Sequence, residues 1–358
     1  MDIIQATKSY ERWLAAHIAV DKTDLRQKHL NMASSPFIFL RATFYRWAQT
    51  WAEVCGDLDN APEVLSVGDL HIENFGSWRD ADGRLIWGIN DLDEVYPLPY
   101  SNDLIRLATS VRLANLQTIS LSAACEAILE GYTKGYTKGG RPFVLEEKHR
   151  KLRRMATNVL RDPTRYWEKL DALKTLKEKA PRAAIEAIER LMPAPRIRCR
   201  LVHRQAGEGS LGRQRFLALA DWKGGKIARE AKALLPSACV WACGGTSKDI
   251  LYQTLLDRAV RCKDPFFEAK GGWITRRLAP DCSRIELPSL HAASDERVVL
   301  KAMGRETANM HLGTPDASKA VLRDLKKRPD GWLCEAAEKM TEAVVHDWKD
   351  WRNSVRSA

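Results

Sequence analysis

Gly68-Asp69-Leu70-His71-Ile72-Glu73-Asn74, followed by Asn90-Asp91-Leu92-Asp93-Glu94, is the stretch on which the reading of this 358-residue chain turns. Around it run short apolar segments, Val64-Leu65-Ser66-Val67 and Leu85-Ile86-Trp87-Gly88-Ile89, with Asp82-Gly83 as a turn signal. Two short strands around a loop fit that pattern. An Asp with an Asn five positions later, in a loop after a short strand, is a spacing used for phosphoryl transfer. There the Asp meets a substrate hydroxyl, and the Asn and a second Asp at the end of the next strand hold magnesium. Asp69, Asn74 and Asp91 fill those positions; Asp93 either assists the metal or braces the loop, and His71 reads as structural. Asp and Asn also close turns and cap helices, so the spacing needs a companion.

The companion is Gly207-Glu208-Gly209-Ser210-Leu211-Gly212, a G-x-G-x-x-G. A dinucleotide-binding fold shares this pattern, but there the glycines open a helix. Here Arg213 to Ala220 alternates like a strand and runs into Lys223-Gly224-Gly225, a hairpin turn. A strand, a glycine loop and a second strand make a flap over nucleotide phosphates, with Gly207, Gly209, Ser210, Leu211 and Gly212 offering backbone N–H groups. Such a flap needs a cation on the following strand, and Arg229 and Lys232 are the two candidates. Lys is the usual choice; Arg brings a rigid fork instead of a point charge. Asp257 and Glu230 are the candidates for its acidic partner.

The flanks divide the chain. Residues 1–60 read as a helical segment containing Trp13, Trp47 and Trp51, interrupted at Ser34-Ser35-Pro36. Residues 61–195 hold the candidate catalytic loop and metal ligands, with helical periodicity over 103–138 and a charged, glycine-free helical stretch over 144–192. Pro193 and Pro195 mark a boundary. Residues 196–280 form a β-rich nucleotide-binding unit that also holds a helix over 248–262 and a strand from Trp273 to Leu278. Residues 281–358 return to helix, over 294–312 and 332–352. Charge is segregated: residues 51–100 carry 2 basic and 11 acidic side chains, net −9, while residues 141–240 carry 24 basic and 11 acidic, net +13. That suits a metal–nucleotide complex held between two halves. The overall +11 also raises a nucleic-acid-binding module, ranked last because no reading motif accompanies the charge. Eight cysteines without a C-x-x-C pair argue for reduced thiols rather than a structural metal. With no apolar run near the roughly 18 residues of a membrane span, and no signal-peptide pattern, a cytoplasmic protein without a membrane partner is expected.

Together the motifs resemble the aminoglycoside phosphotransferase and choline kinase branch of the protein-kinase-like superfamily, which typically carries H-G-D-L-H-x-x-N, then I-D-F/W, then Y-D-L-A. The counterparts here are Gly68-Asp69-Leu70-His71 with Asn74, Asn90-Asp91-Leu92-Asp93, and Asp103-Leu104 within Tyr100 to Ala108; Val67 replaces the first His, which usually braces the loop. In kinases the glycine flap precedes this loop, whereas here it follows, and Met303 to His311 resembles the helix that normally runs just before it. The resemblance therefore implies circular permutation, with the old ends joined through residues 112–196. The whole arrangement, including Ser35 to Arg41 and Asn74-Phe75-Gly76, is similar to the bacterial family called domain of unknown function 2252, although Arg229-Glu230-Ala231 stands where that family more usually has Lys-Glu-Ala. What the resemblance implies is an α+β, bilobal kinase-like fold with a small antiparallel β lobe and a larger helical lobe. It further implies an ATP- and magnesium-dependent phosphotransferase acting on an unknown hydroxyl acceptor, with a regulatory pseudokinase or an AMP-transferring enzyme as alternatives.

Overall fold

The computed structural model describes residues 1–58, 60–116, 118–146, 148–158, 162–282, 285 and 292–356, and the fold is α+β. The expected N-terminal helical segment is four helices: α1 (Ile3–His17), α2 (Lys22–Met32), α3 (Pro36–Ala42) and α4 (Phe44–Val54). Asp2, Asp21 and Ser35 cap the first three through their side chains, so the Ser34-Ser35-Pro36 interruption is the start of α3.

Between Glu63 and Asn90 the chain forms three strands where two were expected, and a fourth follows. They are β1 (Glu63–Ser66), β2 (Phe75–Arg79), β3 (Leu85–Ile89) and β4 (Tyr96–Pro99). The first and last pair antiparallel, as do the middle two, with Phe75 opposite Ile89. Tyr96-Pro97-Leu98-Pro99 escapes a sequence reading because two prolines argue against a strand, yet an edge strand of a two-stranded ribbon tolerates them. The register has a functional consequence: closing the β2–β3 hairpin brings Asn74 beside Asn90, whose N–H donates to the Asn74 carbonyl at 3.0 Å.

The periodic stretch after it is two helices, α5 (Tyr100–Leu113) and α6 (Leu121–Thr137), followed by β5 (Phe143–Val144), which extends the hairpin sheet. Then come α7 (Arg150–Asn158), α8 (Pro163–Asp171) and α9 (Arg182–Arg190). A five-stranded antiparallel sheet follows, built from β6 (Arg200–Val202), β7 (Arg215–Trp222), β8 (Gly225–Ala233), β9 (Phe267–Lys270) and β10 (Trp273–Leu278), in the order β6-β7-β8-β10-β9. Its β7–β8 turn is Lys223-Gly224, both at positive φ, as a two-residue hairpin turn requires. The short helices α10 (Ala238–Ala242) and α11 (Tyr252–Arg258) lie between strands, and α12 (Ala293–His311), α13 (Ser318–Lys327) and α14 (Trp332–Arg356) complete the chain. Among the described residues no helix is long and apolar enough to cross a membrane.

The main core joins α5, α6, α12 and α14. Glycine sets the α6–α12 approach: a Cβ on Gly131 would lie 2.0 Å from the Lys301 carbonyl oxygen, and one on Gly304 2.0 Å from that of Ile128. The five-stranded sheet has its own two layers. Alternation places Leu217, Leu219, Ala228 and Leu278 on one face under Tyr166 and Leu170 of α8. Ala218, Ala231, Ala233 and Trp273 lie on the other under Ala184, Ala187 and Ile188 of α9. The division expected at Pro193 and Pro195 is therefore displaced: α8 and α9 belong by packing with the sheet, because their apolar faces have the sheet to cover.

Candidate functional site

The loop from Gly68 to Asn74 is fixed from behind by Asp103 at the start of α5. Its carboxylate accepts the N–H groups of Val67 (2.7 Å) and Gly68 (2.9 Å), and pairs with His311 Nε2 at 2.8 Å; the other His311 ring nitrogen meets the Tyr132 hydroxyl. The brace that Val67 cannot give thus arrives from α12. Gly68 has φ +81°, and a Cβ there would lie 2.3 Å from the Glu94 carbonyl oxygen, so only glycine fits. His71 accepts the Glu73 N–H, a structural role. Asn74 donates its amide to the Asp69 carbonyl at 2.6 Å, which holds the two motif residues together.

Asp69 faces a polar cleft of about 400 Å³ whose walls include Lys28, Arg41, Asn74, Asp91, Asp93 and Arg213. One of its carboxylate oxygens is ion-paired with the fully buried Arg106, which also donates to the Leu40 carbonyl and stacks on Phe44 and Trp47. The glycine loop closes the other side. Gly207 (φ +76°) and Gly212 (φ +93°) need the left-handed region, and a Cβ on Gly209 would stand 3.3 Å from Asp69 Oδ2 and 3.0 Å from the Arg41 carbonyl oxygen. Gly207, Gly209 and Ser210 line the cleft; Leu211 and Gly212 do not, since Leu211 is buried and Gly212 packs on Leu25. The loop is tied to α2: Lys28 Nζ donates to the Gly209 carbonyl (3.1 Å), Asn31 to Glu208 (2.9 Å), and the Asp21 N–H to the Gly212 carbonyl (2.9 Å).

Strand alternation decides between the two candidate cations. On β8, Glu230 and Lys232 point to the cleft face, and Lys232 Nζ reaches Asp93 Oδ2 at 2.5 Å and Asp91 Oδ1 at 3.8 Å. Arg229 points to the opposite face, donates to the Leu191 and Ala228 carbonyls and stacks on Phe266, so it is removed from the cleft. The acidic partner is Asp93, not Glu230 or Asp257. Glu230 is enclosed by Arg204 (2.7 Å), Arg215 (2.6 Å) and Arg276 (2.8 Å), and Asp257 pairs with the exposed Lys263. Although burial opposes ionisation of Glu230, those three guanidinium groups hold its carboxyl well below the usual range.

Asp91 and Asp93 differ in the same way. Burial also opposes ionisation of Asp93, but Lys232 and Arg213 draw its carboxyl down to about 2, while desolvation and the Asp93 charge push Asp91 upward. Arg213 also pairs with Glu94, whose carboxylate in turn accepts the Ala238 N–H at 2.6 Å. Two atoms suit a hard divalent cation. The Asp91 carboxylate, with its side chain 41% exposed, has no ion pair closer than the 3.8 Å Lys232 contact among the described residues, and the buried Asp93 Oδ1 has no hydrogen-bond partner among them. Asn74 lines the same cleft, and carboxylate and amide oxygens are donors magnesium takes.

Lys28, like Arg213, is a cleft residue the sequence reading missed. Burial, then the nearby Arg213 charge, lowers its pKa to about 8. Beyond Arg204 and Arg276 the cleft continues into a second pocket of about 190 Å³, walled by Leu92, Tyr166, Tyr252 and Leu278.

Residues 21–198 match the model of a family described as an uncharacterized protein conserved in bacteria (DUF2252), a span that holds the Asp69 loop, Asp91 and α5 but ends before the glycine loop. No curated protein and no solved structure matches the chain.

Proposed function

We propose that this protein is a kinase-like phosphotransferase that uses ATP and magnesium to phosphorylate a hydroxyl acceptor. The observation that carries the reading is the convergence of Asp69, Asn74, Asp91 and Asp93 on one cleft under a glycine loop, with Lys232, 139 residues from Asp93 in the sequence, paired to it. Magnesium held by Asn74 and Asp91, with Asp93 Oδ1 beside them, would neutralise phosphate charge. Gly207, Gly209 and Ser210 would cover the phosphates, Lys232 would orient them, and the pocket between Tyr252 and Leu278 would take the base. Asp69 would align the acceptor hydroxyl. Positioning and charge neutralisation supply most of the catalysis in such reactions, because the transferred group asks little covalent chemistry of the protein.

The Arg106–Asp69 ion pair favours a second reading, a nucleotide-binding protein that transfers nothing or transfers AMP, since one carboxylate oxygen of Asp69 is already engaged by a buried guanidinium.

Thermal unfolding with ATP, with and without magnesium, tests the common premise. About 100 Kd of nucleotide should stabilise the native state by roughly 2.7 kcal/mol. The magnesium-dependent part is expected to vanish in Asp91→Ala, and no shift with any purine nucleotide would overturn both readings. Transfer is then followed with ATP labelled at the α or the γ phosphate. Label from γ only, lost in Asp69→Asn with binding retained, supports the phosphotransferase; label from α supports AMP transfer.

A further inference from the structure

We propose that the cavity bounded by α6, α7 and α12 is a binding site for a small organic anion with an apolar or aromatic body. It holds about 370 Å³, within the size range of small-molecule sites, and shares no lining residue with the Asp69 cleft. The proposal does not depend on the phosphotransferase reading.

Charge is the first argument. Lys134, Arg150, Lys151, Lys301 and Arg305 line the cavity, and among the described residues no carboxylate does. Glu130, just outside it, pairs with Lys301 and Arg297 and also attracts Lys134, which leaves Arg150, Lys151 and Arg305 on the wall with no ion pair among the described residues. Like charges so placed repel, and a bound anion removes that cost. The second argument is Arg305. Its guanidinium lies over the Phe143 ring, its Nε is buried with no hydrogen-bond partner among the described residues, and burial together with the Arg141 charge lowers its pKa. The third is His149, held at φ +59°, a conformation uncommon outside glycine, with its ring 4.8 Å from that of Phe143. Burial and the surrounding cations lower its pKa, so it enters the site as a neutral imidazole that can donate or accept a hydrogen bond. Phe143, Leu152, Val298 and Ala302 give the floor its apolar character, which inorganic phosphate alone would leave uncovered.

The probe is 8-anilinonaphthalene-1-sulfonate, titrated by fluorescence against the whole chain, with the uncharged N-phenyl-1-naphthylamine and inorganic phosphate as comparisons. Saturable one-site binding of the sulfonate is expected, with both comparisons weaker. Losing a charge-assisted contact should weaken the sulfonate about tenfold or more in Arg305→Gln. The exposed pair Lys134→Glu with Lys151→Glu should do the same while keeping the unfolding midpoint. Asp91→Ala should leave it unchanged. Equal binding of the charged and uncharged probes, indifference to the Lys134/Lys151 pair, or loss of sulfonate binding in Asp91→Ala would overturn the proposal.

Discussion

Lys232 on β8 and Asp93 in the loop after β3 meet at 2.5 Å, tying the five-stranded sheet to the loop that carries Asp91. The pair separates the tasks of two neighbouring carboxylates: Asp93 is neutralised by Lys232 and Arg213, and Asp91 is left with a raised pKa and an open side chain. Asp93→Asn should therefore cost stability as well as activity, because two buried cations lose their partner. A carboxyl drawn down to about 2 stabilises the fold above the ordinary Asp value, and that contribution is lost as pH falls through about 2. From the shift it amounts to about 2–3 kcal/mol. Urea unfolding of wild type and Asp93→Asn between pH 2 and 5 checks this: the wild type should lose more stability on acidification, and parallel curves would refute the assignment.

Gly209 makes a sharper case about geometry. An added methyl would meet the Arg41 carbonyl oxygen at 3.0 Å and Asp69 Oδ2 at 3.3 Å, distances at which a neighbour must yield by a few tenths of an ångström. The glycine loop lies between two motifs rather than in a packed core, so Gly209→Ala should fold, with a change in stability within about 1 kcal/mol. Turnover should suffer more, since a small displacement of a reacting group costs up to about 100-fold. Unfolding midpoint and initial rate measured on the same preparation decide it; unchanged turnover would mean that the Gly209–Asp69 approach is incidental to function.

Local patterning carried the parts of the site that local structure builds. Asp69, Asn74 and Asp91 lie on one loop and the hairpin that follows it, so their spacing already implies proximity. The choice of Lys232 over Arg229 was also open to a local rule, because Ala231 and Ala233 mark the packed face of β8 and place Lys232 on the other. Four features had no such signal. Lys28 meets the glycine loop 181 residues away, His311 meets Asp103 208 residues away, Arg213 meets Glu94 119 residues away, and Arg106 reads as one more polar residue of an apparently amphipathic helix until α5 is seen to be buried on all sides. The position of α8 and α9 was hidden for the same reason: their apolar faces were legible, but not the sheet they cover.

Glu306 of α12 extends that argument from site to pH. Its carboxyl is buried, accepts the amide of Asn309 (2.7 Å) and the N–H of Ile89 (3.3 Å), and excludes any side chain at Gly88, where a Cβ would lie 2.3 Å from Oε1. Burial pushes its pKa up to about 7, against the attraction of Arg261. The native state then keeps a proton that the unfolded chain releases near pH 4.5, so stability falls as pH rises from there to about 7. The loss is of the order of 3 kcal/mol. Ile89 directly precedes Asn90 and Asp91 in the chain, so Glu306 contacts the strand that leads to the proposed metal ligand. Glu306→Gln keeps the shape and removes the titration. Its urea midpoint should fall less than that of the wild type between pH 5 and pH 8, and an equal fall in both would show that Glu306 is ionised throughout that range.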